Sequence, residues 1–89
     1  MSSFSNQTAI ITGAAKGIGA ATAKLFFEAG GNTVLLDVSA DTSNIRHERW
    51  LYMHCDVSKN NEVQSCMQQA HEKFGSINYL VNNAGIAHV

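Results

Sequence analysis

Residues 8–19 read TAIITGAAKGIG, and this stretch decides the fold. Residues 8–12 form a short, nearly continuous apolar run, which is typical of a strand covered on both faces in a parallel sheet. From Gly17 the apolar residues recur at intervals of three and four, which predicts a helix that stops at Gly30 and Gly31. The predicted apolar stripe of this helix comprises Ile18, Ala21 or Thr22, Leu25, Phe26 and Ala29. The stretch therefore predicts a strand, a glycine-rich turn and a helix in succession.

The same alternation continues along the chain. Residues 33–37 (TVLLD), 50–55 (WLYMHC) and 77–81 (INYLV) have the apolar, β-branched and aromatic content of further strands. A second helix is expected between the last two, with Ser58 as its N-cap, Glu62 in its first turn and Gly75 as its stop. Its apolar stripe comprises Val63, Met67, Ala70 and Phe74. Residues 38–49 are polar, and we expect at most a short irregular helix there.

Strands that alternate with helices of this length must pair in parallel, and right-handed crossovers then fix how the units wind. The expected fold class is α/β, a doubly wound parallel sheet with strand order 3-2-1-4. In such a sheet the first and fourth strands flank the switch point at which ligands bind.

Composition limits the function classes. A chain of 89 residues and 9.6 kDa can form one modest core, which excludes two domains. A formal charge of -1 argues against a nucleic-acid partner. No apolar stretch follows the N-terminus that is long enough for a signal peptide or a membrane span, so we expect no membrane and a cytoplasmic location.

Cysteines and histidines do not indicate a metal centre. Cys55 and Cys66 lack the paired spacing of zinc or redox motifs, and we interpret them as buried thiols in a reducing compartment. His54 and Cys55 are neighbours on a strand and point to opposite faces, so they cannot share a metal. We therefore predict no metal site.

The glycines of the first turn have a chemical interpretation. Gly13 permits a tight turn, Gly17 lets a phosphate approach the backbone, and Gly19 lets the helix pack closely on the sheet. Backbone N–H groups and the positive end of the helix converge where a pyrophosphate could sit. The alternative is a glycine-rich turn without a ligand. An acidic residue at the end of the next strand, Asp37, favours the dinucleotide interpretation.

The spacing of these motifs resembles one family. Residues 12–19 follow the pattern Thr-Gly-x-x-x-Gly-x-Gly, and Asp37, the pair Asp56-Val57 and the segment 82–85 (NNAG) follow in order. This order and spacing resembles the N-terminal half of the short-chain dehydrogenase/reductase family, over nearly the whole chain. The resemblance implies a partial Rossmann-like fold, with residues 1–89 as the N-terminal part of a single NAD(P)-binding domain and the chain as a fragment.

The resemblance also implies roles for individual residues. The turn would hold the cofactor's pyrophosphate, Asp37 the adenosine ribose, and Asp56 and Val57 the adenine. The implied cofactor-binding residues are Gly13, Ala15, Lys16, Gly17, Ile18, Gly19, Asp37, Asp56, Val57, Asn83, Ala84 and Gly85. Asn82 is expected to steady the sheet. Two alternatives stay open: Asp37 as a solvated carboxylate, and Asp56 as a cap of the following helix.

Two residues give opposite indications of cofactor preference. Asp37 can accept both ribose hydroxyls of NAD and would repel the 2′-phosphate of NADP. A basic residue at the position of Lys16 often accompanies NADP binding in the family. Because a lysine can swing into solvent and a strand-end carboxylate cannot leave the pocket, we predict NAD as the preferred cofactor, with NADP less favoured.

The family's reaction is hydride transfer between a nicotinamide cofactor and a carbonyl or alcohol carbon, and it uses a Tyr-x-x-x-Lys pair. Tyr52 is followed four positions on by Asp56, and Tyr79 by Asn83, so neither tyrosine fits that pattern. We therefore expect no catalytic residue in this chain. The leading hypothesis is the cofactor-binding part of an oxidoreductase that acts on a small alcohol or ketone and forms a homo-oligomer at full length. A stand-alone dinucleotide-binding module and an inactive truncation product are the alternatives.

Overall fold

A computed structural model describes residues 4–13, 17–38 and 48–82 of the chain. Within these ranges, strands and helices alternate along the sequence. The elements are β1 (Thr8–Thr12), α1 (Gly17–Glu28), β2 (Asn32–Asp37), β3 (Trp50–His54), α2 (Asn60–Phe74) and β4 (Tyr79–Val81). Most of the polar connection 38–49 lies outside the described residues, so its predicted irregular helix stays a prediction.

All the strands pair in parallel, in the order β3-β2-β1-β4. The register sets Thr12 opposite Leu36 and Asp37 opposite His54, so the carboxyl ends of β1, β2 and β3 lie along one edge of the sheet. The predicted α/β class and the strand order 3-2-1-4 are confirmed.

Alternate residues of the central strands face opposite sides of the sheet, as the period of two requires. On one side, Ile10, Val34 and Leu36 pack with Cys66 and Ala70 of α2. On the other, Ala9, Ile11 and Leu35 pack with Ala23 of α1. Each helix therefore covers its own face of the sheet, and every residue of β1 is buried, as expected for a central parallel strand.

The predicted apolar stripe of α1 is wrong in part. Ile18 and Leu25 are 76% and 69% exposed, whereas Gly19 and Ala23 are the buried residues of the helix. Gly19 and Ala23 are both small, so the helix axis can approach the sheet closely along their face. The larger side chains on the neighbouring face then project into solvent.

The helix ends as its glycines predict. Gly30 has φ 97°, its N–H donates to the carbonyl of Phe27, and the N–H of Gly31 donates to the carbonyl of Phe26. This pair of bonds is a Schellman motif, which satisfies carbonyls at the end of a helix. Arg49 adds hydrogen bonds from Nη1 to the carbonyl oxygens of Phe27 (3.1 Å) and Gly31 (2.8 Å).

The start of α2 differs from the prediction that Ser58 is its N-cap. The N-cap residue is Lys59, and no side chain caps the helix there. Ser58 lies one residue before the N-cap, and its hydroxyl donates to Oδ1 of Asp56 at 2.6 Å, a short bond to an ionised acceptor.

Candidate functional site

The glycine turn and the two aspartates meet at the carboxyl ends of the strands, which we call the carboxyl edge and define by Gly13, Asp37 and Asp56. The N–H of Gly13 donates to the carbonyl of Leu36 at 2.8 Å, directly before Asp37. The N–H of Cys55 donates to the carbonyl of Asp37 at 3.2 Å, directly before Asp56. The backbone therefore fixes the three residues next to one another in the order of their strands.

Gly13 and Gly17 both adopt backbone conformations that disfavour side chains. Their φ angles are +63° and +67°, in the left-handed region that glycine enters without steric cost. Apart from its chain neighbours and its own helix backbone, no atom of the described residues lies within 4 Å of a Cβ built on Gly17, the first residue of α1. Gly19 is buried against the sheet. Gly17 therefore leaves space beside the N-terminus of α1, where backbone N–H groups attract anions, and this fits the phosphates of a dinucleotide.

Asp37 is half-buried at the last position of β2. Val38, which follows it, is 58% exposed and carries no charge that would offset the carboxylate. This position and sign suit a carboxylate that accepts hydrogen bonds from sugar hydroxyls.

Asp56 is held in a local turn. Its Oδ1 accepts hydrogen bonds from the N–H of Ser58 (3.0 Å) and from the Ser58 hydroxyl (2.6 Å). These bonds, aided by the charges of Lys59 and His54, lower the pKa of the Asp56 carboxyl below its ordinary value, so the group is ionised at neutral pH. Both of these bonds end on Oδ1, and no described residue donates to Oδ2. Val57 beside it is 39% exposed and offers an apolar surface.

Asp56 is not the cap of α2, which was the alternative for this residue, because the N-cap is Lys59 and no side chain caps the helix there. Asp56 has a different structural role, in the turn before the helix. Its carbonyl accepts the N–H of Lys59 at 3.0 Å, which closes the turn that leads into α2. The Asp56 carboxylate thus orders this turn through Oδ1 as well as through the backbone.

Glu62 is the residue at this edge whose contact the sequence did not indicate. Its Oε1 accepts the backbone N–H of Asp56 at 2.9 Å. The available signal was its place in the first turn of α2, where a glutamate commonly reaches back to a free N–H group.

Thr12 ties the glycine turn to the end of β4. Its hydroxyl lies 3.4 Å from the carbonyl oxygen of Val81 and 3.2 Å from Oδ1 of Asn82. This contact agrees with the expectation that Asn82 steadies the sheet.

Five of the predicted cofactor residues lie outside the described ranges, namely Ala15, Lys16, Asn83, Ala84 and Gly85. Gly13, Gly17, Ile18, Gly19, Asp37, Asp56 and Val57 are described and lie at or beside the carboxyl edge. In the described part of the chain, no group of His, Cys, Asp and Glu side chains is arranged to hold a metal ion. None of its helices has the length and apolar content needed to cross a bilayer.

Comparison with known proteins identifies the family. The model of the short chain dehydrogenase family matches residues 7–89. The chain belongs to the short-chain dehydrogenase family. The resemblance drawn from the glycine turn, Asp37, Asp56-Val57 and the segment 82–85 is thereby confirmed.

Named members of the family are similar in sequence. The chain is 42% identical over 84 residues to tropinone reductase-like 2 of Erythroxylum coca. The aligned region covers 90% of this chain and 30% of that protein. It is also 40% identical over 90 residues to cis-4-hydroxycyclohexanecarboxylate dehydrogenase of Sinomonas cyclohexanicum. That alignment covers 94% of this chain and 36% of the relative. The chain spans about a third of the length of the curated relatives it matches.

Solved structures of a dehydrogenase and a reductase share the fold. Glucose dehydrogenase of Caenorhabditis elegans in its apo-form superposes with a TM-score of 0.85 at 28% identity, over 96% of this chain and 40% of that chain. The 3-ketoacyl-(acyl-carrier-protein) reductase of Brucella melitensis, complexed with NADH, superposes with a TM-score of 0.77 at 30% identity, over 85% of this chain and 33% of that chain. The partial Rossmann-like fold is confirmed.

Proposed function

We propose that this chain is the adenosine- and pyrophosphate-binding part of an NAD-dependent oxidoreductase. The observation that carries the proposal is the carboxyl edge. There, a glycine cradle open at Gly17 stands beside two carboxylates, at the end of β2 and after β3. Residues 1–89 are then the N-terminal part of one dinucleotide-binding domain.

Each part of the edge has a role in this proposal. The N-terminus of α1 holds the pyrophosphate, with Gly17 keeping its path free of a side chain and Ile18 exposed beside it. Asp37 accepts the ribose hydroxyls, Oδ2 of Asp56 accepts the exocyclic amine of adenine, and Val57 packs on the ring. The remaining members of the set, by family resemblance, are Ala15, Lys16, Asn83, Ala84 and Gly85.

The bound cofactor supplies the hydride chemistry, for which we propose a small alcohol or ketone as the substrate class. The chain itself contributes binding and orientation, and we assign no catalytic residue to it, because neither tyrosine is followed by lysine four positions on. We further propose a cytoplasmic location, since Cys55 and Cys66 are free thiols, and a homo-oligomeric state for the full-length protein.

Calorimetric titration of the chain with NADH tests the proposal, with Gly17→Val as the disabling variant. The added side chain stands where the pyrophosphate would lie, and we expect affinity to fall by at least about tenfold through lost phosphate contacts.

Gly75→Val is the matched control. Gly75 also has a positive φ, +85°, and apart from its chain neighbours no atom of the described residues lies within 4 Å of a Cβ built on it, but it lies at the far end of α2. Both variants place a β-branched side chain at a positive φ, but only Gly17 lies at the carboxyl edge, so a ligand bound there separates them. Failure of the unaltered chain to bind NADH, or equal affinity in the Gly17 and Gly75 variants, would reject the proposal.

A further inference from the structure

Glu62 occupies the third position of α2, where a glutamate ordinarily completes a capping box by accepting the N–H of the N-cap residue. Here the N-cap is Lys59, and its N–H donates to the carbonyl of Asp56 at 3.0 Å. The Glu62 carboxylate reaches further back and accepts the N–H of Asp56 at 2.9 Å. Its main hydrogen bond therefore holds the loop before the helix.

Two cationic or ionisable groups flank the same carboxylate. Lys59 Nζ lies 3.8 Å from Oε2, and His54 Nδ1 lies 4.0 Å from Oε1. The Glu62 side chain is 30% exposed, while those of His54 and Lys59 are 59% and 60% exposed. Exposed ion pairs of this kind add little stability, so the hydrogen bond to Asp56 is the contact that determines geometry.

The hydrogen bond with Glu62 helps to fix the position of Asp56. Its N–H is fixed by Glu62, and its Oδ1 is fixed by the N–H and hydroxyl of Ser58. With backbone and carboxylate both held, Oδ2 has a defined direction before any ligand arrives. Binding then needs no further ordering of this loop, and a preorganised acceptor binds more tightly than a mobile one.

We propose that Glu62 is the positioning residue for adenine recognition. It holds the Asp56-Val57 pair in the orientation in which Asp56 accepts a hydrogen bond from the exocyclic amine. This inference rests on the function proposed above. It assigns Glu62 a role in selectivity, exerted through Asp56 and without contact to the ligand.

The experiment compares the affinity for NADH with that for its reduced hypoxanthine analogue, in which a carbonyl oxygen replaces the exocyclic amine. Loss of one hydrogen bond to a charged acceptor corresponds to a factor of about ten, so we expect the unaltered chain to prefer NADH by about tenfold. The ratio of the two affinities is the readout, because a general loss of stability would lower both affinities together.

Two conservative variants separate the effect of the length of the Glu62 side chain from the effect of its charge. Glu62→Gln keeps the length of the side chain and its Oε1 acceptor but removes the charge, and we expect the ratio to persist. Glu62→Asp keeps the charge in the first turn of α2 but is too short to reach the Asp56 N–H, and we expect the ratio to fall to about one, from the tenfold that one charged hydrogen bond gives. Glu72→Ala, an exposed glutamate on the same helix, is the control and should leave the ratio unchanged.

The outcomes are distinct. A chain that binds neither ligand refutes the proposed function itself. Equal affinity of the unaltered chain for both ligands overturns the role of Glu62 together with the proposed contact of Asp56 with the amine, but leaves dinucleotide binding at the carboxyl edge standing. Retention of the ratio in Glu62→Asp overturns the role of Glu62 alone. Loss of the ratio in Glu62→Gln together with its retention in Glu62→Asp would show that only the charge at the helix start matters, which also overturns it.

Discussion

Asp37 stands at the last position of β2, next to the glycine turn, and its charge bears on which dinucleotide can bind. A 2′-phosphate placed about 4 Å from this carboxylate would be repelled by about 4 kcal/mol at an effective dielectric constant of 20. A ribose with free hydroxyls would donate to it instead.

We expect Asp37→Ala to weaken NADH binding by about tenfold or more, since one charged hydrogen bond is lost. Affinity for NADPH should rise relative to NADH because the repulsion disappears. Parallel calorimetric titrations measure both, with Glu48→Ala, an exposed carboxylate before β3, as the control for net charge. Tighter binding of NADPH than NADH by the unaltered chain would contradict the assignment.

Cys66 is buried against β3, where its thiol lies 3.9 Å from the carbonyl oxygen of His54. Burial, the neighbouring Cys55 and the charge of Glu62 raise the pKa of the Cys66 thiol from 9.0 to about 11. The fold thus favours the protonated thiol. Its contribution to stability is complete below pH 9 and is lost as pH rises through 11.

We therefore expect the free energy of unfolding in urea to fall between pH 9 and pH 11, and to fall less steeply in Cys66→Ala. The difference between the two curves isolates this thiol from the other groups that titrate in the same range. Identical pH profiles for the two proteins would show that the thiol is not held in its protonated form.

At the scale of elements, the end of α1 depends on the close approach of the Gly31 backbone to the ring of Phe26. A Cβ added at Gly31 would overlap the ring of Phe26. That ring cannot move freely, because its centroid lies 4.7 Å from the ring of Phe4 and 5.8 Å from that of Tyr79. Gly31 therefore lets the chain pass from α1 into β2 beneath a packed aromatic cluster.

Gly31→Ala should lower the free energy of unfolding by about 1–3 kcal/mol, as overpacking commonly does. In a Phe26→Leu background, where the ring is absent, the same substitution should cost less. Denaturant unfolding of the single and double variants gives the coupling between the two positions. Additive effects would show that the overlap with Phe26 is not the cause.

The elements also show where sequence patterns are sufficient. β1 was predicted with its observed bounds, because a buried parallel strand is a continuous apolar run closed by glycine. The buried face of α1 was assigned wrongly, since hydrophobic periodicity favours Ile18 and Leu25, whereas close packing on a sheet favours Gly19 and Ala23. The N-cap of α2 was misassigned by one residue, because the turn that Asp56 and Ser58 form delays the start of the helix to Asn60, and the sequence pattern does not show that turn.

Some residues of the candidate site could be predicted from the sequence and one contact could not. Gly17, Asp37 and Asp56 could be located from spacing alone, because the carboxyl ends of parallel strands share one edge. The contact of Glu62 with the Asp56 N–H could not, since it bypasses the usual capping position.

For the whole molecule, β4 is the last strand in the order β3-β2-β1-β4, so in the described residues it pairs on one side only. Tyr79 and Leu80 are 43% and 57% exposed. An apolar cavity of about 180 Å³ opens beside this strand; its lining includes Phe4, Phe26 and Val81. An exposed apolar edge strand is a template for pairing with another chain.

We expect the 89-residue chain to self-associate as its concentration rises, and Leu80→Lys to reduce the association, since a charge on an edge strand opposes pairing. Sedimentation velocity over a concentration series measures this. NADH affinity should be unchanged in the variant because Leu80 is not at the carboxyl edge. A monomeric unaltered chain at every concentration would contradict the prediction.

The location of the cofactor site is the central claim, and amide chemical-shift mapping with ADP-ribose tests it most directly. The predicted result is that the amides of Gly13, Gly17, Asp37, Asp56 and Val57 shift in a saturable manner, while those of Gln7, Asn32 and Trp50, at the opposite ends of the strands, stay in place. Shifts confined to the opposite ends, or no saturable shift at the carboxyl edge, would contradict it.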